Sequence, residues 1–368
     1  MKLLYISSDV SAIHHNLLKA INKQGIDSIL GTYTIQKDAK LHEHNSNSWA
    51  FKSNSPFKGP VLYFSRLNEV LKYYISRIQA EKIDITHGNM MFGDGYLCRK
   101  IYEKTGVPYV LSVRNTDLNL WFLWKLPWIK AEGIKNLLSA KAIIFLSTPY
   151  KDLLLKRIPA NKRELIAEKC AVVPNGIDDF WLKNKTINNK RIDDYIKFIT
   201  VGRIEKNKNQ VAVAEAISLL IKKREIRASY SAIGDSRDKD MEEALSKHSF
   251  VEMIPYMEKE QLIHKFRENH IYVMPSHTET FGLVYAEAMT QGLPVVYTRG
   301  QGFDEQFPDG FVGHSVDSRN VESILDGIEH TIDNYSEIAT NAYNNCEKFT
   351  WEKVSKQLQK IYETALSH

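Results

Sequence analysis

Two carboxylates, Glu279 and Glu287, stand eight positions apart in the stretch 276–294, SHTETFGLVYAEAMTQGLP, with Phe281-Gly282-Leu283 between them. An apolar run at 271–274 precedes them and predicts a buried parallel strand, and an amphipathic helix follows the glycine. A helix that starts near Gly282 turns its first amides, about 282–285, outward as anion donors. Amides for a phosphate beside carboxylates for hydroxyls suit a ligand that is part phosphate and part polyol, such as a nucleotide sugar. Taken alone, the pair is more simply a solvated loop residue and a surface helix residue, because a glutamate pair at a fixed spacing is common.

Further polar residues follow other predicted strands. After 196–201 comes Gly202-Arg203, then Lys208, which offers two cations to a diphosphate. After 107–113 come Arg114, Asn115, Thr116 and Asp117; Arg114 is a candidate anion ligand, and an ion pair with Asp94 or Asp117 is its equal alternative. His87 closes the strand at 82–87, the position where doubly wound sheets take ligands, although a lone histidine there is more often structural. The first loop, Ser8-Asp9-Val10-Ser11, lacks the glycines of a phosphate cradle and is assigned chiefly a structural role. Asp238-Lys239-Asp240 has the form of a metal-binding DxD, but its place in a charge run before a helix predicts a cap.

These residues need elements to position them, and the chain has the length for two sets. It has 368 residues, 43% hydrophobic and 25% charged, as expected of two globular domains. Residues 1–180 carry 25 Lys and Arg against 16 Asp and Glu; residues 181–368 carry 24 against 28. The net charge is therefore +9 and −4, and a basic first half favours a phospholipid surface, a polyprenyl-phosphate-linked acceptor or nucleic acid without choosing among them. Segment 118–130 mixes Trp121, Phe122, Trp124 and Trp128 with Lys125 and Lys130, which suits a headgroup-level contact and core packing equally. No apolar run reaches membrane-spanning length and 1–10 lacks a cleavage pattern, so a cytoplasmic protein is expected. Three dispersed cysteines are expected to be buried thiols.

Strands and helices alternate throughout, predicting two doubly wound parallel sheets: one domain over 1–180, a polar linker over 181–194 and a second domain over 195–348. Residues 36–60 are expected to form a variable loop or β-excursion, and 349–368 a terminal helix with one buried face.

With Gly202-Arg203, Lys208, Glu279-Thr280-Phe281-Gly282-Leu283, Glu287 and Pro174-Asn175-Gly176-Ile177-Asp178 in place, the chain resembles the retaining glycosyltransferases of family 4. The resemblance is close in the second half and loose in the first. It implies the GT-B fold, two Rossmann-like α/β domains facing a central cleft, with the last helix packed back on the first domain. It further implies that Gly202, Arg203, Lys208, Thr280, Phe281, Gly282, Leu283, Glu287 and Asn175 bind the donor. Within that set Glu287 holds the ribose and Arg203 and Lys208 stabilise the leaving diphosphate. Glu279 contacts the transferred sugar, and His87 is carried as a further catalytic candidate.

The acceptor falls to Arg114, Asn115, Asp9 and Ser11. Where the family commonly has a histidine this chain has Arg114, which cannot act as a base. The implied activity is metal-independent, cofactor-free retaining transfer of a hexose-type sugar from a nucleoside diphosphate, UDP favoured, to a glycan or lipid-linked acceptor in surface-polysaccharide synthesis. Nucleic acid is not an implied partner; peripheral contact of 121–130 with the inner membrane face is. The rivals are another GT-B enzyme, an epimerase or phosphorylase, and a silent nucleotide-sugar-binding subunit.

Overall fold

A computed structural model describes residues 1–9, 11–34, 47–53, 63–121, 126–187 and 190–367, with backbone alone at 120 and 121. The chain divides into two compact units: Met1–Gly176 with Trp351–His368, and Ile177–Thr350. The expected linker 181–194 therefore falls inside the second unit, where Asp178 caps the short helix Asp179–Lys183 and buries Trp181. Its many polar neighbours hide that one anchoring aromatic from a composition-based reading.

The first unit is built on seven parallel strands: β1 (Lys2–Ser7), β2 (Asp27–Thr34), β3 (Ser48–Lys52), β4 (Ile85–Gly88), β5 (Tyr109–Val113), β6 (Ala142–Phe145) and β7 (Cys170–Val172). Their spatial order is β3-β2-β1-β4-β5-β6-β7. Connections change direction between β1 and β4, so the loops after these strands diverge there and leave room at the carboxyl edge. Strand β3 lies within the predicted 36–60 excursion; the rest of that stretch, apart from 47 and 53, is outside the described residues.

The second unit repeats the plan with six: β8 (Tyr195–Val201), β9 (Arg227–Ile233), β10 (Val251–Ile254), β11 (Ile271–Val273), β12 (Val295–Thr298) and β13 (Gly313–Val316), in the order β10-β9-β8-β11-β12-β13. Central strands such as FITV in β8 and IYV in β11 are continuously apolar because helices cover both faces of a parallel sheet.

The terminal helix Trp351–Ser367 belongs to the first unit, and its buried face, Trp351, Val354, Leu358 and Tyr362, joins Leu17, Leu18 and Ile21 of helix Ala12–Lys23 in one core. Among the described residues no helix is long and apolar enough to cross a membrane. Cys98 and Cys346 are buried free thiols, and Cys170 is partly exposed.

Two acids are enclosed beneath the carboxyl edge of the first sheet. Asp94 accepts from the Tyr33 hydroxyl at 2.7 Å, and Asp117 accepts from the Met91 and Arg114 amides at 3.0 and 2.9 Å. One oxygen of each lacks a hydrogen-bond partner, and burial pushes both carboxyls up to about 7. A folded carboxyl that keeps its proton to about 7, against 3.8 for an ordinary aspartate, binds more protons than the unfolded chain between these values, so stability falls as pH rises through that window. Asp94→Asn keeps the acceptor for Tyr33 without the charge. Its melting temperature relative to wild type is expected to climb from pH 5 to pH 8; a difference that does not change with pH refutes the assignment.

Candidate functional site

In the second unit the predicted donor residues gather on the loops after β8 and β11, which are adjacent because Ile271 pairs with Phe198 and Tyr272 with Ile199. Lys208 donates to Glu279 at 2.7 Å, with side chains 20% and 13% exposed. Asn207 fastens the two loops: its amide nitrogen donates to the Thr278 carbonyl at 3.0 Å, and its oxygen accepts from the Thr278 amide and hydroxyl at 3.0 and 2.7 Å. Asn209, with φ at 63°, donates to the carbonyls of Pro275 at 3.1 Å and Ser318 at 2.7 Å. Gln210 donates to the Arg203 carbonyl at 2.9 Å. The Arg203 side chain is 66% exposed, and its only carboxylate neighbour among the described residues is Glu205 at 3.6 Å.

A third loop, after β12, braces Glu279 from the other side. The Gln301 side chain accepts from the Glu279 amide at 3.0 Å, and the Gly302 amide donates to the Glu279 carbonyl at 3.0 Å. A β-carbon on Gly302 would lie 2.0 Å from the Thr280 carbonyl oxygen, so only glycine permits this approach. Asn207, Asn209, Gln301 and Gly302 carry the geometry of the site, and none of them is among the residues singled out from the sequence, where nothing marks what a loop asparagine or glycine binds.

Gly282 caps helix Leu283–Thr290 with φ at 78°, and a β-carbon there would strike the Tyr285 ring at 2.3 Å. The Tyr285 amide, expected to face outward, donates instead to the Gly282 carbonyl at 3.0 Å. That leaves the amides nearer the cap, about 282–284, for an anion. Phe281 is buried against Phe303 and Phe349, which anchors the loop, whereas Thr280 is exposed.

Glu287 sits on the same short helix in different surroundings. Burial first, then the Asp178 charge, raises its carboxyl to about 7, against a hydrogen bond from Trp181 and the Lys259 charge, which lower it. Lys259 is itself paired with Asp178 at 2.7 Å.

In the first unit Asn175 follows β7 and is half-buried. His87 is 1% exposed, with Nδ1 2.7 Å from the Tyr362 hydroxyl and Nε2 2.8 Å from the Ser112 hydroxyl. Burial pushes it down to about 3, so it stays neutral and no ring nitrogen is left for a substrate. The catalytic expectation for His87 is thus corrected: it ties β4 and β5 to the terminal helix.

Arg114 donates to the side chain of Asn89 rather than to Asp94 or Asp117. Ser11 caps helix Ala12–Lys23 in a capping box with His14; Asp9 is exposed; Asn115 accepts from Asn119. Asp238 caps helix Lys239–Ser246 through the Met241 amide at 3.3 Å, as its charge run predicts.

The family model described as Glycosyl transferases group 1 matches residues 183–349, and that described as Glycosyltransferase Family 4 matches residues 11–179. An uncharacterized glycosyltransferase of Methanocaldococcus jannaschii is 25% identical over 343 residues, 89% of this chain and 90% of the relative. A D-inositol 3-phosphate glycosyltransferase of Paenarthrobacter aurescens is 26% identical over 333 residues, 82% and 79% of the two chains. Among solved structures, the lipopolysaccharide outer core galactosyltransferase WaaB superposes with a TM-score of 0.77 at 14% identity, covering 99% of each chain. HepE of Anabaena in complex with UDP gives 0.74 at 15% identity, over 99% of this chain and 100% of its own. These two likenesses establish the GT-B fold.

The Lys208–Glu279 pair is partly buried, so removing one partner leaves the other charge desolvated. A double-mutant cycle of Lys208→Met and Glu279→Gln is expected to give a coupling of about 1–3 kcal/mol in urea unfolding. Additive effects would show that the two side chains do not interact in solution.

Proposed function

For a chain that belongs to the group 1, family 4 glycosyltransferases, we propose retaining, metal-independent transfer of a hexose from a nucleoside diphosphate, UDP favoured, to a glycan or lipid-linked acceptor in surface-polysaccharide synthesis. The observation that carries it is the Lys208–Glu279 pair, braced on three loops beside the open turn of helix Leu283–Thr290. The fold neighbour HepE, solved with UDP, supports the choice of nucleotide.

The ammonium of Lys208 has three donors, one of them on Glu279, so it can meet phosphate oxygens while still orienting the carboxylate. As the bond between the anomeric carbon and the diphosphate oxygen breaks, negative charge grows on the leaving phosphate. Lys208, the exposed Arg203 and the amides about 282–284 stabilise that charge. Glu279 accepts from a hydroxyl of the transferred sugar, and Glu287 from the ribose. Retention follows if the acceptor attacks from the face the nucleotide leaves, giving its proton to the departing phosphate.

UDP-glucose at 100 times its Kd is expected to stabilise the wild type by about 2.7 kcal/mol. Glu287→Ala and Arg203→Ala are expected to lose most of that effect, whereas Glu279→Ala should keep Kd within about twofold and lower turnover. A wild type that no nucleotide sugar stabilises, or equal losses of affinity at Glu279 and Glu287, would sink this division of roles.

We place the reaction at the cytoplasmic face of a membrane, with peripheral contact through the first turn of helix Pro127–Ser139. Trp128 there is 51% exposed and Lys130 half-buried, while 122–125 and the Trp121 side chain are outside the described residues. Flotation with phosphatidylglycerol vesicles is expected to fall in Trp128→Ser; unchanged flotation removes this contact.

A further inference from the structure

We infer that Arg114 forms an oxyanion subsite in the first unit, which recognises a carboxylate or phosphate carried by the acceptor. This rests on the proposed reading that the first unit takes the acceptor, and it narrows that acceptor to an anionic one.

Arg114 follows β5, next to β4 and one strand from β1, where the sheet's connections change direction and a ligand has room. One edge of its guanidinium is committed to Asn89: Nε donates to the carbonyl at 3.3 Å and to Oδ1 at 3.2 Å, and Nη2 donates to Oδ1 at 2.7 Å. Asn89 is itself fixed, accepting from the Tyr5 hydroxyl at 2.7 Å and donating to Ser7 Oγ at 3.3 Å. The guanidinium is therefore held before any ligand arrives. Its end edge, one N–H from each terminal nitrogen, has the spacing of a bidentate carboxylate or phosphate contact.

Among the described residues no carboxylate oxygen comes within 4.0 Å of the Arg114 guanidinium. Asp117, the acid beside it, accepts from its backbone amide rather than its side chain, and burial leaves that carboxyl near 7. His14 and His87, which feel the same charge, are held neutral by burial first and the Arg114 charge second. Asp9, the exposed acid on the β1 loop, is solvated and screened. A half-buried arginine held by an amide oxygen gains most from a ligand that supplies the missing negative charge; a neutral hydroxyl recovers only part of it.

The test is calorimetry with saturating UDP present, so that added oxyanions cannot report on the donor site. The probes are glucuronate and glycerol 3-phosphate, with glucose and glycerol as neutral counterparts. At least one oxyanion is expected to bind saturably and more weakly as salt rises, with no signal from the neutral pair. Which one binds separates a sugar acid from a phosphate-linked acceptor. Arg114→Gln is expected to weaken that binding by at least about tenfold, a loss of about 1.4 kcal/mol, and leave UDP affinity unchanged. Arg114→Lys keeps the charge but not the fork and is expected to fall between; it also serves if the glutamine variant does not fold. No oxyanion binding in the wild type, or equal binding in Arg114→Gln, overturns the subsite while the donor reading stands. Failure of UDP to bind would instead overturn the donor reading.

Discussion

The second unit depends on β8 and β11 being hydrogen-bonded neighbours, because that pairing brings Lys208 to Glu279 across 71 positions of sequence. In a parallel sheet covered on both faces, the inner stretches of the central strands, FITV in β8 and IYV in β11, are apolar. Chemistry is confined to the loops at the carboxyl edge. Those loops need bracing, since an ammonium and a carboxylate on mobile segments would spend their attraction on ordering each other. Asn207, Asn209 and Gln301 supply the bracing with neutral amide contacts to backbone, which hold the loops without adding charge.

The first unit meets a different constraint. Its carboxyl edge buries Asn89, His87, Asp94 and Asp117, a set that would be unstable if left unpaired. Each has a specific partner, and several partners are distant: Tyr362 for His87, Tyr33 for Asp94, Tyr5 for Asn89. The terminal helix is thus part of the polar core as well as the apolar one. Arg114 has its neutral partners engaged, and among the described residues no carboxylate answers its charge.

The alternation of strands and helices, the two sheets and a terminal helix with one buried face were legible from the sequence because apolar runs of parallel strands are continuous and helical faces periodic; the return of that helix to the first domain was implied by the family resemblance alone. Strand β13 was not, since GHSV places His314 and Ser315 inside a four-residue element whose Ser315 amide is held by Asp309. In the candidate site, Lys208, Glu279 and Glu287 were singled out by the family resemblance, since their types and spacing alone fit solvated residues equally well. The bracing amides were not: an asparagine in a polar loop has the same local signature whether it meets water or a carbonyl 66 positions away. His87 was misjudged for the same reason, its partner Tyr362 lying 275 positions on.

Glu279, on the loop after β11, and Glu287, on the short helix that follows it, share a motif, and their surroundings set them apart. Glu279 accepts from the Lys208 ammonium at 2.7 Å. Glu287 faces burial and Asp178, which together hold it near 7. A carboxyl poised there can accept from a hydroxyl as an anion or donate to one as an acid, and a ribose diol offers both roles. On the proposed reading, nucleotide binding that draws the ribose hydroxyls onto the ionised form of Glu287 lowers its proton affinity and releases a proton. The same sequence motif therefore sets one carboxylate against an ammonium and encloses the other in surroundings that raise its proton affinity.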